Sequence, residues 1–209
     1  MTWTHWFPRL LLPALLAGVS GCSHRGEIPK GLLQIEDAAA RVIAEQVNQD
    51  IEAGGTVLFL HNLGGDEVSP IWQKSLRDTL DSRFQVAVFG RSDMSEEAAR
   101  DVTGLRGLQE GLAQAPDAVA LILAVPFPDR MGRDLLSSLP PVYALGWMFL
   151  ENAAPYIEGG AIRAGLFERP HTSLDTGGRS SPEELADLRY LFVTGENLNE
   201  QLRQARGIP

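Results

Sequence analysis

Short runs of apolar and β-prone residues alternate along this chain with longer segments in which apolar residues recur every three or four positions. The first run, Thr56–Leu60, is almost continuously apolar, which indicates a strand covered on both faces. Further strands are predicted at Gln85–Phe89, Ala118–Val125, Val142–Leu145, Ala161–Phe167 and Tyr190–Val193. Because strands joined by helices form parallel sheets, the predicted fold class is α/β, a doubly wound, mostly parallel sheet flanked by helices.

Helical spacing of apolar residues marks the segments between these runs. In Asp37–Glu52 the residues Val42, Ile43 and Val47 fall on one face, so this segment is predicted to be the first helix. Other helices are predicted around Val68–Leu80, at Ser95–Ala115, Gly132–Ser138 and Phe149–Ile157, and from Ser181-Pro182 onward. The stretch Thr172–Ser180 has two glycines and little apolar content, which predicts a surface loop.

The N-terminus has the pattern of an export signal that ends at the single cysteine of the chain. Arg9 precedes an apolar run, Leu10–Val19, which is too short to span a bilayer as a mature helix. The sequence Val19-Ser20-Gly21-Cys22 places small residues before a thiol and resembles the lipobox of bacterial lipoproteins. We therefore predict a signal peptide over residues 1–21 and lipidation of Cys22, with palmitate as an implied acyl group. The alternative is an ordinary buried thiol behind a conventional cleavage site.

This interpretation places the mature chain in the cell envelope, anchored by lipid and facing the periplasm. Ser23 after the cysteine favours the outer membrane of a Gram-negative envelope, by resemblance to such lipoproteins. Residues 22–34, which contain Pro29 and two glycines, are predicted to be the lipidated cysteine and a tether. Residues 35–209 are predicted to form one domain.

The charge balance argues against nucleic acid as a partner. The sequence has 18 basic and 27 acidic side chains, and Arg9 is the only charged residue among residues 1–21. The mature chain therefore has 17 basic side chains against 27 acidic ones, a formal charge of −10. With Cys22 acylated, no thiol remains for a disulfide or a cysteine metal site. No cofactor is predicted.

Several motifs that contain glycine, proline or aromatic residues follow one another in an order known from one protein family. They are Leu63-Gly64-Gly65 after the first strand, the Pro116-Asp117 turn, Tyr143–Trp147, Ile157–Pro170 and Phe192–Leu198. From about Asp37 to Leu198, the chain resembles the C-terminal lobe of type I periplasmic sugar-binding proteins. The effector domains of lactose-repressor-type regulators share this fold. The resemblance implies a single lobe of a periplasmic-binding-protein-like I fold and sugar binding for an ABC transporter or a sensor.

A complete protein of that family has a second lobe on the N-terminal side. That lobe has on the order of a hundred residues, and the ligand lies in the cleft between the lobes. In the organisation predicted here, only the tether precedes the helix that starts at Asp37. The resemblance therefore implies a standalone lobe, or a lobe that forms a cleft with another copy of itself or with a separate partner chain.

The resemblance also indicates which residues would contact a solute. Trp147 can stack on a sugar face, and Glu168, where the family often has glutamine, can accept hydrogen bonds from hydroxyls. Met148 replaces an aspartate that commonly accepts such bonds, and Phe127 lies in the apolar Val125–Pro128 loop, where the family often has a polar residue. These four residues, Trp147, Glu168, Met148 and Phe127, are the candidate ligand-binding residues.

The aromatic residues near the predicted strand end at Leu145 have a second interpretation. Aromatic side chains are mostly structural, so Trp147 and Phe149 are interpreted first as core packing. If Phe127, Trp147, Met148 and Phe149 are instead exposed, they form an apolar surface that docks a partner protein. Docking of a partner protein is therefore the alternative function.

Metal, phosphate and catalytic sites have little support in the sequence. His61 lies near Asp66 and Glu67, but a lone histidine at a strand end is usually a solvated loop residue. Gly64-Gly65-Asp66 lacks the dinucleotide fingerprint and the lysine of a phosphate-binding loop. No serine, histidine and acid trio is recognisable. We predict a non-catalytic envelope protein that binds no metal and recognises a small, sugar-like solute.

Overall fold

The computed structural model describes residues 28–52, 54–61, 68–101, 105–124, 138–147, 149–169 and 173–207. Its strands are β1 (Gly55–His61), β2 (Phe84–Phe89), β3 (Ala118–Ala124), β4 (Val142–Trp147), β5 (Ile162–Glu168) and β6 (Tyr190–Thr194). Its α-helices are α1 (Lys30–Asp50), α2 (Val68–Thr79), α3 (Glu96–Arg100), α4 (Leu105–Gln114), α5 (Leu150–Glu158), α6 (Pro182–Ala186) and α7 (Leu198–Ala205). A short 3-10 helix, Arg91–Asp93, follows β2.

The strands form one six-stranded sheet in the order β2-β1-β3-β4-β5-β6. Neighbouring strands from β2 to β5 are parallel, and β6 pairs with β5 in the antiparallel direction. The apolar runs explain this arrangement, because Val57–Leu60 and Ala120–Leu123 are buried along their whole length, as strands covered on both faces must be. The predicted fold class, a mostly parallel α/β sheet flanked by helices, is confirmed.

Helices cover both faces of the sheet. On one face, Ile43 of α1 and Leu76 of α2 belong to the same buried apolar cluster as Phe59 of β1. On the other face, Leu108 of α4 and Ile157 of α5 belong to a second buried cluster. This two-sided core holds the strands in register, and it places the ends of the parallel strands together at one edge.

The first helix begins earlier than the sequence predicted. Pro29 has an extended backbone (φ −55°, ψ 134°) and α1 starts at the next residue, Lys30. Residues 30–34, assigned above to the tether, are therefore helical. Proline and glycine suggested an irregular segment, but proline is compatible with a helix start because the first N–H groups of a helix need no partner within it. Cys22 and the rest of the tether up to residue 27 lie outside the described residues.

The predicted helix Ser95–Ala115 is in fact two helices, α3 and α4. Ser95 caps α3 by accepting a hydrogen bond from the Ala98 N–H at 3.1 Å. The helix ends before Asp101, whose backbone is extended. The sequence Val102-Thr103-Gly104 that follows combines β-branched residues with glycine, all of which have low helix propensity.

The remaining helices agree with the sequence in part. The predicted capping box is present at α6, where Ser181 Oγ accepts a hydrogen bond from the Glu184 N–H at 3.1 Å. The predicted helix Gly132–Ser138 lies outside the described residues except for its last residue, and α7 was not predicted. In the part of the chain that the structure describes, no helix is both long and apolar enough to cross a membrane.

Candidate functional site

The carboxyl ends of the parallel strands meet at one edge of the sheet, called here the carboxyl edge. β1 ends there at His61, β4 at Trp147 and β5 at Glu168. In open α/β sheets, ligands bind outside this edge, next to the point where the strand order reverses. The order β2-β1-β3 places that point between β1 and β3. The carboxyl edge is therefore the place to look for a site.

A buried carboxylate, Glu36 of α1, lies just inside the carboxyl edge. Glu36 is 2% exposed. It accepts hydrogen bonds from Trp72 Nε1 at 3.0 Å and from the Tyr190 hydroxyl at 2.8 Å and 2.9 Å. The Trp72 ring and the Tyr190 hydroxyl also flank Gly146 of β4, where a β-carbon would come within 3.0 Å of the ring and 3.7 Å of the hydroxyl. Glu36 thus joins α1 to α2 and β6, directly beside β4.

Arg189 connects this buried carboxylate to the candidate residue Glu168. Its Nη1 lies 3.3 Å from Glu36 Oε1, and its Nη2 donates a hydrogen bond to Glu168 Oε1 at 2.8 Å. The Glu168 and Arg189 side chains are 32% and 26% exposed, so both reach the surface. Together with Trp72 and Tyr190 these three charged residues form what we call the Glu36 cluster.

Burial raises the pKa of two groups in this cluster. Burial raises the pKa of Glu36, and the Tyr190 hydroxyl, the Arg189 charge and the Trp72 N–H only partly offset this effect. Burial, together with the charge of Glu36, also raises the pKa of the Tyr190 hydroxyl, which therefore remains a hydrogen-bond donor. The cluster consequently holds a carboxylate that takes up a proton more readily than an exposed glutamate.

Because the pKa of Glu36 is raised in the folded chain, Glu36 makes the free energy of unfolding depend on pH. Glu36→Gln should remove this dependence. The folded chain holds the Glu36 proton more tightly than the unfolded chain does. The stability of the native protein relative to Glu36→Gln is therefore greatest below the ordinary glutamate pKa of 4.5, declines as the pH rises through the raised pKa, and then levels off. Urea unfolding of both proteins between about pH 4 and pH 8 measures this difference. A difference that grows with pH would contradict the assignment.

His61 is buried, so the prediction of a solvated loop residue is wrong. It is 7% exposed, and its ring stacks on Phe59 with 5.3 Å between the ring centroids. Its two ring nitrogens lie 3.3 Å and 3.2 Å from Ser69 Oγ. His61 is buried because β1 continues through it and places its ring in the packed layer below α2.

Asp66 and Glu67, the two acids considered with His61 as metal ligands, lie outside the described residues. No group of three or more His, Cys, Asp or Glu residues in the described ranges could hold a metal ion.

The structure describes only part of the predicted ligand-binding set. Glu168 lies at the carboxyl edge, where it is partly exposed and paired with Arg189. Trp147 is the last residue of β4 and pairs in register with Phe167 of the neighbouring strand β5. Its backbone therefore lies on the strand next to that of Glu168. The side chain of Trp147 is not described. Met148 and Phe127 lie outside the described residues.

Phe149 corrects one sequence-based interpretation. The sequence favoured core packing for the aromatic residues after β4, but Phe149 is 57% exposed. α5 begins at the next residue, Leu150, and the Leu150 side chain is buried instead of that of Phe149. An exposed phenylalanine therefore stands next to the carboxyl edge.

Neither Glu36 and Arg189 nor the hydrogen bonds of Trp72 and Tyr190 were predicted from the sequence. A signal for Glu36 was present, because it lies in phase with the buried Ala40, Ile43 and Val47 at helical spacing. The helix start was placed one residue too late to include it. Arg189 lies in the turn before β6, and no local pattern marks it.

The fold is similar to that of several solved proteins. No protein-family model matches this sequence, and no curated protein matches it significantly. An ABC transporter solute-binding protein from Burkholderia graminis C4D1M, in complex with D-arabinose, is similar with 15% identity over 78% of this chain and 61% of that chain (TM-score 0.56). One from Agrobacterium vitis with bound D-fucose is similar with 15% identity over 83% and 62% (TM-score 0.57). A carbohydrate transporter protein from Acidothermus cellulolyticus 11B, in complex with myo-inositol, is similar with 13% identity over 83% and 62% (TM-score 0.54).

These similarities define the fold of the chain. The neighbours are sugar-binding proteins of ABC transporters with the type I periplasmic-binding-protein fold, and this chain has the architecture of a single lobe of that fold. The chain spans 61–62% of the length of the three proteins described. At 13–15% identity, the similarity shows the fold alone.

Proposed function

We propose that this chain is a non-catalytic, lipid-anchored envelope protein that recognises a small, sugar-like solute at the carboxyl edge, for a transporter or a sensor. The observation that carries the proposal is the partly exposed ion pair between Glu168 and Arg189, one strand away from Trp147. The edge is the one at which open α/β sheets bind ligands.

The chemistry of this pair suits a polyhydroxylated solute. A sugar hydroxyl both donates and accepts a hydrogen bond, and Glu168 can accept while Arg189 donates. The buried Glu36 carboxylate holds the other terminal nitrogen of Arg189 at 3.3 Å, which orients the guanidinium toward the edge. Trp147 would supply an aromatic face for the apolar side of a sugar ring. Met148 and Phe127 would extend the apolar part of this surface.

A solute panel tests the proposal directly. The solutes named for the structural neighbours, D-arabinose, D-fucose and myo-inositol, are added to the chain without residues 1–21. A solute at about 100 times its Kd stabilises a folded protein by roughly 2.7 kcal/mol, which corresponds to a rise in melting temperature of about 5–10 °C. A saturable rise supports recognition. The absence of any rise, for these solutes and for other pentoses and hexoses, contradicts it.

Lipid anchoring rests on the Val19–Cys22 sequence and has its own test. We expect Cys22→Ser to abolish incorporation of labelled palmitate and to release the chain from the membrane fraction, because the thiol is the acceptor of the lipid. Ser23→Ala serves as the matched control and should remain labelled. Equal labelling of Cys22→Ser and the native chain would show that Cys22 carries no lipid.

The second candidate function is docking of a partner protein, favoured by the exposure of Phe149. Exposed aromatic side chains often anchor a contact with a second protein, and Phe149 stands beside the carboxyl edge. A partner that faces this edge would also complete a cleft, which a single lobe lacks. The same edge would then serve either a solute held between two chains or the partner itself.

Substitution of Phe149 separates these functions. We expect Phe149→Ser to leave the melting temperature nearly unchanged, since the side chain is 57% exposed. If a partner docks there, cross-linking of the native chain in intact envelopes gives an adduct that Phe149→Ser loses by about tenfold or more. Leu174→Ser, at the other large exposed apolar residue among those described, is the control and should retain the adduct. Loss of the adduct in both variants, or in neither, argues against docking at Phe149.

A further inference from the structure

We propose that the carboxyl edge faces the membrane that carries the lipid of Cys22 and contacts the bilayer through Phe149 and Leu174. The inference rests on the proposed lipid anchor and adds to it an orientation of the domain. Two separate features of the chain support this orientation. One is the place where the anchored segment joins the domain, and the other is the place of the exposed apolar side chains.

The helix that follows the anchored segment, α1, begins at the carboxyl edge. Gly31, the second residue of α1, packs closely against the carbonyl oxygen of Leu174, in the connection that follows β5. At the other end of α1, Asp50 accepts a hydrogen bond at 2.9 Å from the hydroxyl of Tyr143, the second residue of β4. α1 therefore starts at the carboxyl edge and ends at the opposite edge, where the parallel strands begin and which we call the amino edge.

The length of the anchored segment limits which edge can face the membrane. Cys22 precedes Lys30, the first residue of α1, by eight residue steps. Whatever its conformation, a segment of this length spans at most roughly 30 Å. With 21 residues, α1 extends about 30 Å from the carboxyl edge toward the amino edge. A fully extended segment that runs back along the domain would be needed to bring the amino edge to the membrane, whereas the carboxyl edge needs no such extension.

The exposed apolar side chains lie at this same end of the domain. Among the described residues, the large apolar side chains that are exposed are those of Phe149 and Leu174, at 57% and 44%. Phe149 lies between the end of β4 and the start of α5, and Leu174 lies between β5 and α6, beside Gly31. Single exposed apolar residues scattered over a surface are ordinary. These two instead share the end of the domain at which the anchored segment enters.

The bilayer is the occupant that both features indicate. Aromatic and aliphatic side chains insert into the boundary between lipid headgroups and acyl chains. A partner protein at Phe149 would need no relation to the anchor, whereas the bilayer necessarily lies where the anchor is. This orientation places the candidate solute site at the level of the lipid headgroups.

Quenching of a single tryptophan by labelled lipid measures the orientation. The substitutions Trp3→Phe, Trp6→Phe, Trp72→Phe and Trp147→Phe remove every tryptophan of the full chain. Phe149→Trp then supplies one at the carboxyl edge, and Asp117→Trp supplies one at the exposed residue before β3, at the amino edge. The vesicles contain phosphatidylcholine and spin-labelled phosphatidylcholine. Since strands about 20 Å long separate the two edges, we expect quenching of Phe149→Trp to exceed that of Asp117→Trp by at least about threefold.

A second measurement needs no substitution. The native full chain is bound to vesicles whose phosphatidylcholine has a photoactivatable headgroup, and the labelled peptides are identified by mass spectrometry. Peptides that contain Phe149 or Leu174 should be labelled, and peptides that contain Asp117 should remain at background. Background labelling of all three overturns the proposal.

The design separates the orientation from the lipid anchor itself. If Cys22 is free in the purified chain, its thiol is coupled to a maleimide-bearing lipid in the vesicles, so the orientation is measured in either case. A free Cys22 contradicts the proposed acylation, whereas equal quenching at the two positions contradicts the proposed orientation.

Substitution of Leu174 tests the second contact. Leu174→Ser should lower the quenching of Phe149→Trp by about twofold or more, because one of two apolar contacts is lost, whereas Leu174→Met should retain it. Quenching at Asp117→Trp that equals or exceeds that at Phe149→Trp overturns the proposal. An unquenched Phe149→Trp, together with a protein adduct at Phe149 in intact envelopes, assigns this edge to a partner protein and also overturns it.

Discussion

Glu36→Ala should lower the free energy of unfolding by about 3–5 kcal/mol, the cost of breaking a buried ion pair from one side. The change leaves the Trp72 N–H and the Tyr190 hydroxyl without their acceptor inside the protein, and it removes one of the two carboxylates that neutralise Arg189. The melting temperature should fall by on the order of 10 °C. Urea and thermal unfolding of the chain without residues 1–21 measure the effect.

The control for this prediction lies on the same helix. Glu45 is partly exposed, and its side chain makes no hydrogen bond or ion pair with the described residues, so Glu45→Ala should change stability by no more than about 0.5 kcal/mol. The loss of stability in Glu36→Gln should lie between those of Glu36→Ala and Glu45→Ala, because the amide oxygen of glutamine can still accept one hydrogen bond. A cost for Glu36→Ala no larger than that for Glu45→Ala would show that the Glu36 cluster does not stabilise the fold.

Glu168→Ala should weaken solute binding by about 10- to 100-fold, the usual range for the loss of a hydrogen bond to a charged group. Its effect on stability should stay near 1 kcal/mol, because the ion pair with Arg189 is partly exposed and Arg189 keeps Glu36 as a partner. Glu168→Gln retains an acceptor oxygen and should lose less affinity. Titration calorimetry with the solute that gives the largest thermal shift measures all three Kd values.

A carboxylate away from the carboxyl edge provides the control for Glu168. Glu158 is exposed at the end of α5, which runs back toward the start of β5, and Glu158→Ala should leave the Kd unchanged. Equal affinity for Glu168→Ala and the native chain would remove Glu168 from the site. Equal losses for Glu158→Ala and Glu168→Ala would indicate a general charge effect rather than contact with the solute.

The sequence predicted the fold well where burial alone determines the pattern of apolar residues. Val57–Leu60 and Ala120–Leu123 are buried along their whole length, so their apolar runs predicted β1 and β3 within a residue or two. Errors arose where local signals compete. Pro29 suggested a tether but stands at the start of α1, and α3 ends at Arg100 although the spacing of the whole segment looked like one helix.

The site was less accessible because its contacts join distant parts of the chain. Glu36 and Tyr190 are 154 residues apart in sequence, and nothing near either residue marks the other. Arg189 lies in a turn, where a single arginine is common. Glu168 was identified only through resemblance to a known family, and its pairing with Arg189 depends on the antiparallel addition of β6, which hydropathy cannot distinguish from parallel addition.

The central claim, that a solute binds at the carboxyl edge beside Trp147, is tested most directly by fluorescence. Tryptophan occurs at positions 3, 6, 72 and 147, so the chain without residues 1–21 and with Trp72→Phe has Trp147 as its only tryptophan. We expect a saturable change in its emission as a solute from the panel is added up to about 10 mM, well above the 1 mM Kd of a weak complex. The converse variant, Trp147→Phe, reports from the buried Trp72 and should change little. No response from Trp147, or an equal response from both variants, would contradict recognition at this edge.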